Sequence, residues 1–303
     1  MSAGSLFLLL LTNILGGASF VATACALKSL SPFNVVFWRV LLAGPLFLPF
    51  CFRALRKTRL NSRDWGRVFL IAVIGYDAPL WIGAWGQKLS SATHAALLMA
   101  LEPVAIIFLS AMFLDEELSV LKIVALVLSL IGSFLIVAQG HSLTLLLQSP
   151  HGSYLGDGFL CIQGVLFALY TVAGKPLLKK MDALSLTSLT SLVAVFPLLL
   201  CAGAAHFPVF KFGFSGIALS SILYLSLGVS FFGVLTWNLA MERVSASLLA
   251  NFIFVQPLLG AILGVFLLRE GLSWGSFLGG VLILAGVYCA SREKSSPPSS
   301  EGL

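Results

Sequence analysis

SATHAALLMALEPVAIIFLSAMFLDEELS occupies residues 91–119, and SASLLANFIFVQPLLGAILGVFLLREGLS occupies residues 245–273. The two stretches align without a gap at a shift of 154 positions. Ser91-Ala92 meets Ser245-Ala246, Ala96 meets Ala250, Glu102-Pro103 meets Gln256-Pro257, and Leu114 meets Leu268. Glu116-Glu117-Leu118-Ser119 meets Glu270-Gly271-Leu272-Ser273, and further on Gly132 meets Gly286. A biased composition produces chance matches of apolar residues. It rarely aligns a mid-segment proline, a loop glutamate, the serine after it and a glycine in one register.

The chain around this repeat is 303 residues long, 59% hydrophobic and 10% charged. Soluble domains carry about 25% charged residues. Mean hydropathy is +1.03. So much apolar surface requires lipid as part of the solvent. Long apolar runs without strict alternation read as helices, since lipid admits only helices and closed barrels. Each span needs roughly 20 apolar residues. Spans are expected near 5–26, 33–52, 67–87, 93–114, 119–139, 155–174, 184–205, 216–239, 247–268 and 274–290. The fold class is therefore all-α integral membrane, with ten transmembrane helices as two five-helix repeats.

Five spans per half is an odd number, so the second half enters the membrane from the opposite side. Inverted repeats place a binding site near the bilayer midplane, and rocking between the halves gives alternating access. The first repeat is set at 1–139, a connecting loop at 140–153, the second repeat at 154–291 and a disordered tail at 292–303. With a cytoplasmic N-terminus, thirteen Lys and Arg residues fall inside and four outside, the remaining one being Arg39 within span two. The positive-inside rule then puts both termini in the cytoplasm, with the Arg53–Arg67 cluster as the main anchor. The first segment is apolar from Leu6 with no basic region before it, and reads as a retained helix. Compact loops favour a bacterial-type inner membrane.

Several classes are disfavoured. No basic tract with interleaved aromatics suggests nucleic acid. Cys25, Cys51, Cys161, Cys201 and Cys289 form no CxxC pair and read as small packing residues, so no metal or cofactor is expected. No HExxH, GxSxG or Walker A pattern points to an intramembrane enzyme or an ATP-driven pump. A carrier of a small-molecule substrate accounts for the repeat; a membrane-embedded receptor or structural protein is the alternative.

A charge at a helix centre costs about 2.5–3.5 kcal/mol on insertion scales, so each one requires a reason. Asp77 lies in Gly75-Tyr76-Asp77-Ala78-Pro79, with Trp81 four residues on and on the same face. A carboxylate beside aromatic rings suits a substrate amine or a proton. Glu102 precedes Pro103, and its counterpart is Gln256, so a polar group rather than a charge is common to both halves. Arg39 suits a substrate carboxylate, or Glu102 or Asp77. His94 titrates near neutral pH and joins Asp77 and Glu102 as a proton-coupling candidate. Asn251, Tyr76 and Trp237 complete the substrate-binding candidates, with Asn251 and Gln256 about 140° apart around one helix. Asn13, Gln163 and Asn238 read as interhelical glue. Glu116 and Glu270 read as structural acids before helices N-capped by Ser119 and Ser273. Gly16-Gly17 suits close helix contact, and Gly260-x-x-x-Gly264 suits close packing within the chain or a homodimer.

The repeated pattern from Ser91-Ala92 through Glu102-Pro103 to Glu116-x-Leu-Ser and Gly132 resembles the EamA domain of the drug/metabolite transporter superfamily, twice in tandem. Arg39 in Phe37-Trp38-Arg39 resembles the arginine of that domain's second helix; the second half has no counterpart. The resemblance implies a ten-helix inverted-repeat carrier of small metabolites, among them amino acids and amphiphilic compounds. It also implies a cavity formed mainly by spans 1, 3, 4, 6, 8 and 9.

Overall fold

The computed structural model describes residues 2–90, 95, 98–138, 154–204, 215–256, 258–259 and 274–292. His94, Pro257, Gly260, Gly264, Glu270, Ser273, the 140–153 connection and the tail after Arg292 lie outside the described residues. The described chain is helical throughout its elements: α1 (Ala3–Leu27), α2 (Pro32–Lys57), α3 (Ser62–Leu89), α4 (Leu101–Phe113), α5 (Val120–Ala138), α6 (Tyr154–Lys179), α7 (Ala183–Ala204), α8 (Gly216–Arg243), α9 (Ala246–Ile253) and α10 (Trp274–Arg292). Six of these, α1–α3 and α6–α8, are long and apolar enough to cross a membrane; α4, α5 and α10 hold shorter apolar stretches.

Local chemistry sets the starts. Ser31 accepts from the Asn34 amide with Pro32 in the first turn, Ser215 accepts from Ala218, and Ser245 accepts from Leu248. Asn61 and Asp64 form a reciprocal capping box on α3. Ser119 accepts from the Lys122 amide, the cap expected of it.

Around an apolar core, large apolar side chains also face outward and polar ones are buried. Phe113 is 66% exposed and Phe196 71%, while Asn13, Asn238 and Asn251 are fully buried. Lipid gains nothing from hiding phenyl rings, whereas polar groups need partners that only neighbouring helices supply.

Three of the long helices break or widen beside the central space. α1 breaks at Ala18, just after Gly16-Gly17. Near the break, the Leu15 carbonyl accepts from Tyr224 Oη (2.6 Å) and the Phe20 carbonyl from Gln87 Nε2 (2.8 Å). α3 widens into a π-helical stretch at Ile71–Asp77, just before Pro79. The wider turn accommodates the ring and its missing amide, so α3 continues through Asp77 and Pro79. α8 carries a π-helical stretch at Tyr224–Gly233. Shifted by 154 positions, the first π-helical stretch falls within the second.

The repeat has a packing counterpart. α5 crosses α10 so closely that a Cβ on Gly132 would lie 2.5 Å from Gly279 O and 2.9 Å from Ile283 N. A Cβ on Gly286 would lie 2.7 Å from Ala125 O and against Ser129 Oγ. Gly132 and Gly286, Ala125 and Gly279, and Ser129 and Ile283 are each 154 positions apart. Each contact therefore coincides with its own reciprocal, as across a two-fold axis. In the middle of the molecule the first helix of each half approaches the other half at positions that are not 154 apart: Gly164 of α6 faces the Glu102 backbone, and Gly17 of α1 faces the Gln256 backbone.

Candidate functional site

These close approaches leave a cavity between the helices, with about 180 Å³ of room for the centres of water-sized molecules. One ordered water needs about 10–15 Å³ by that measure, so the space admits a small solute. Its walls come from α1, α2, α3, α6 and α8, with Met99 just before α4, Glu102 in its first turn and Gln256 beyond α9. The expected spans all contribute, and α2 joins them.

Polar groups converge there from both halves. Glu102 is buried at the cavity wall. Gln256 faces the same space, and its Nε2 donates to Asn13 Oδ1 (3.0 Å). Asn13 in turn donates from Nδ2 to the Leu9 carbonyl (2.7 Å), which leaves its Oδ1 as the acceptor for Gln256. The glutamine amide is thus oriented from α1. Arg39 reaches the cavity from α2, and its Nε donates to Ser230 Oγ in the π-helical stretch of α8 (2.7 Å). Among the described residues it forms no ion pair with Glu102 or Asp77.

The aromatic lining is Phe20, Tyr76, Phe167, Tyr170 and Trp237. Tyr76 and Tyr170 face one another across helices α3 and α6, with ring centroids 6.3 Å apart. Asn238 donates to Tyr170 Oη (2.7 Å) and Thr187 Oγ1 (2.8 Å), tying α8 to α6 and α7 in the glue role expected of it. Gln163 lines the cavity against Gly83, where any Cβ would strike its amide.

Arg39, Tyr76, Glu102, Trp237 and Gln256 are therefore brought together. Three other candidates stand apart. The cavity-facing stripe of α3 is Tyr76, Leu80, Gly83, Ala84 and Gln87. Asp77 and Trp81 are each one position later, a turn of about 100°. Trp81 packs edge-to-face on Phe33, with centroids 4.9 Å apart. Asp77 is buried, with no hydrogen-bond partner for either carboxylate oxygen among the described residues. Asn251 donates back to the Ser247 carbonyl of its own helix (2.9 Å) and is not part of the cavity wall. Gln87, Thr12 and Thr171 are lining groups the sequence reading missed. The signal for Gln87 was its spacing of seven from Leu80 and eleven from Tyr76, on one helical stripe.

The Glu116 carboxylate does not serve α5, the helix that follows it. It accepts from the Ala246 amide (2.8 Å), the Ser247 amide (3.1 Å) and Ser247 Oγ, all at the start of α9. The expected dipole complement holds, on a helix of the other half.

The EamA-like transporter family model matches residues 3–138 and again residues 154–292. An uncharacterized transporter of Archaeoglobus fulgidus is 28% identical over 297 residues, covering 97% of this chain and 99% of its own. A probable terminal-alkyne amino-acid exporter of Streptantibioticus cattleyicolor is 28% identical over 256 residues, covering 82% and 78%. A solved crystal structure shares the fold, with a TM-score of 0.78 at 18% identity over 96% of this chain and 97% of that one. This chain is a multi-pass integral membrane protein and belongs to the EamA-like transporter family.

Proposed function

We propose that the protein is a secondary transporter that exports small metabolites, such as amino acids or amphiphilic compounds, by alternating access. The observation that carries this reading is the cavity, where Glu102 from one matched segment and Gln256 from the other face a common space walled by aromatic rings. A carboxylate, an oriented amide and a guanidinium suit a solute bearing an amine and an acid, while the rings suit its apolar part. The solute contacts are Arg39, Tyr76, Glu102, Trp237 and Gln256. Asp77, His94 and Glu102 are the proton-coupling candidates, with Asp77 bordering the cavity stripe of α3.

The reciprocal glycine contacts of α5 and α10 support ten spans arranged as two inverted five-helix repeats. The distribution of Lys and Arg supports cytoplasmic termini, and the compact loops support a bacterial inner membrane.

The test is flux. The purified protein, reconstituted in liposomes, is offered labelled amino acids and lipophilic amines with and without an imposed pH gradient. Saturable uptake above empty liposomes is the expected result, and gradient dependence assigns proton coupling. Absence of flux across the panel, from protein shown to be folded, overturns the reading in favour of a receptor or structural role.

A further inference from the structure

The turn between α8 and α9, residues Val244-Ser245, is held by two charges from elsewhere in the chain. Lys175, near the end of α6, donates from Nζ to the carbonyls of Met241 and Val244, at the C-terminal end of α8. Glu116, between α4 and α5, accepts from the first two amides of α9 and from Ser247 Oγ. A cation at a helix C-terminus and an anion at a helix N-terminus both oppose the dipole they meet.

The position of this clamp gives it meaning. The Lys57–Asp182 pair (2.9 Å) and the Lys180–Asp64 pair (2.7 Å) place the ends of α2 and α6 and the starts of α3 and α7 on the same side. On that side of the cavity lies a buried apolar layer: Ile71, Leu177, Leu186 and Met241 are each fully buried. Met241 packs on Gly174, where a Cβ would lie 3.2 Å from its methyl group. The lining residues of α1, α2, α3 and α6 lie in the middle of their helices or toward the other side. A solute reaching the cavity from the clamped side must pass the Met241 layer, and that layer is fixed to the turn that Lys175 and Glu116 hold.

We infer that Glu116 and Lys175 are positioning residues that keep the cavity closed on the side of the basic cluster, and that their release from the α8–α9 turn opens it there. This rests on the transport reading, but its test needs no substrate. In a chain whose five native cysteines are replaced, single cysteines are placed at Met241 (the seal) or at Thr23 (on the cavity wall toward the other side). Labelling by a membrane-impermeant maleimide is then timed from each side of the membrane. Glu116→Gln or Lys175→Met should speed labelling at Met241→Cys from the basic side about tenfold or more, and slow labelling at Thr23→Cys from the opposite side. Glu116→Asp and Lys175→Arg should restore much of the parent behaviour. Unchanged rates overturn the inference. Faster labelling at Met241→Cys with Thr23→Cys unaffected also overturns it, because local fraying alone gives that pattern. Should Glu116→Gln fail to fold, Ser247→Ala, which removes one bond to the carboxylate, carries the same pair of readouts. Flux failure with the reciprocal labelling shift intact removes only the transport reading.

Discussion

Gly132 and Gly286 occupy reciprocal places on the crossing of α5 and α10, each facing the residues equivalent to those the other faces. The backbone oxygens opposite them lie 2.5 and 2.7 Å from where a Cβ would stand, so the helices must part to admit a methyl group. Gly132→Ala and Gly286→Ala should each cost about 1–3 kcal/mol of stability. The double variant should cost less than the sum, because the first substitution already separates the pair. Gly158→Ala, at an α6 position where a Cβ meets nothing within 4 Å, should be neutral or slightly stabilising. Thermal unfolding in detergent measures all four.

Glu102 is the buried carboxylate of the cavity wall. Glu102→Gln preserves shape and removes charge. Loss of a hydrogen bond to a charged group is worth about 1.5–3 kcal/mol. Saturable uptake of an amine-bearing solute should therefore fall about tenfold or more, with the unfolding temperature of the empty protein held or raised. Equal uptake by the parent and the variant counts against a role for Glu102 in binding or coupling.

Asn13 is outside the cavity wall but orients the Gln256 amide within it. Asn13→Leu frees that amide to rotate. The net value of such a bond is about 1 kcal/mol, so the solute concentration for half-maximal uptake should rise roughly fivefold. An unchanged half-maximal concentration means that Gln256 does not contact the solute tested.

Trp81 and Tyr76 separate packing from binding on one helix. Trp81→Leu loses an edge-to-face pair with Phe33, worth about 0.5–1.5 kcal/mol beyond area burial. The unfolding temperature should drop and solute affinity stay near that of the parent. Tyr76→Ala should weaken uptake as well, since Tyr76 forms part of the wall.

Asp182, in the turn between α6 and α7, titrates outside the spans. Partial burial raises its pKa, but hydrogen bonds from Ser185 and Lys57 outweigh that and lower it to about 2. A depressed carboxylate stabilises the folded state above its ordinary value near 3.8 and loses that contribution as pH falls toward about 2. The stability gap between the parent and Asp182→Asn should therefore be constant above about pH 5 and close between about pH 4 and pH 2. Its size is small, because the Lys57 partner is well exposed to solvent.

The amino-acid sequence by itself determined the solvent, the helical class and the register of the repeat. A chain this apolar folds in lipid as helices, and a shift of 154 places Gly132 opposite Gly286 before any helix is packed. It also singled out Glu102, Gln256, Arg39, Tyr76 and Trp237, which the packed structure brings to one cavity wall. What the linear pattern lacked was the rotation of each helix about its axis. Neighbours set that rotation, and one residue of error turns a side chain by about 100°. On α3 the π-helical stretch ahead of Asp77 adds to the uncertainty, so only the packed structure decided that Tyr76 faces the cavity and Asp77 does not. Tertiary structure likewise decided that Glu116 serves α9. A carboxylate in a turn is drawn to the nearest unpaired amides in space, and these belong to a helix 130 residues away.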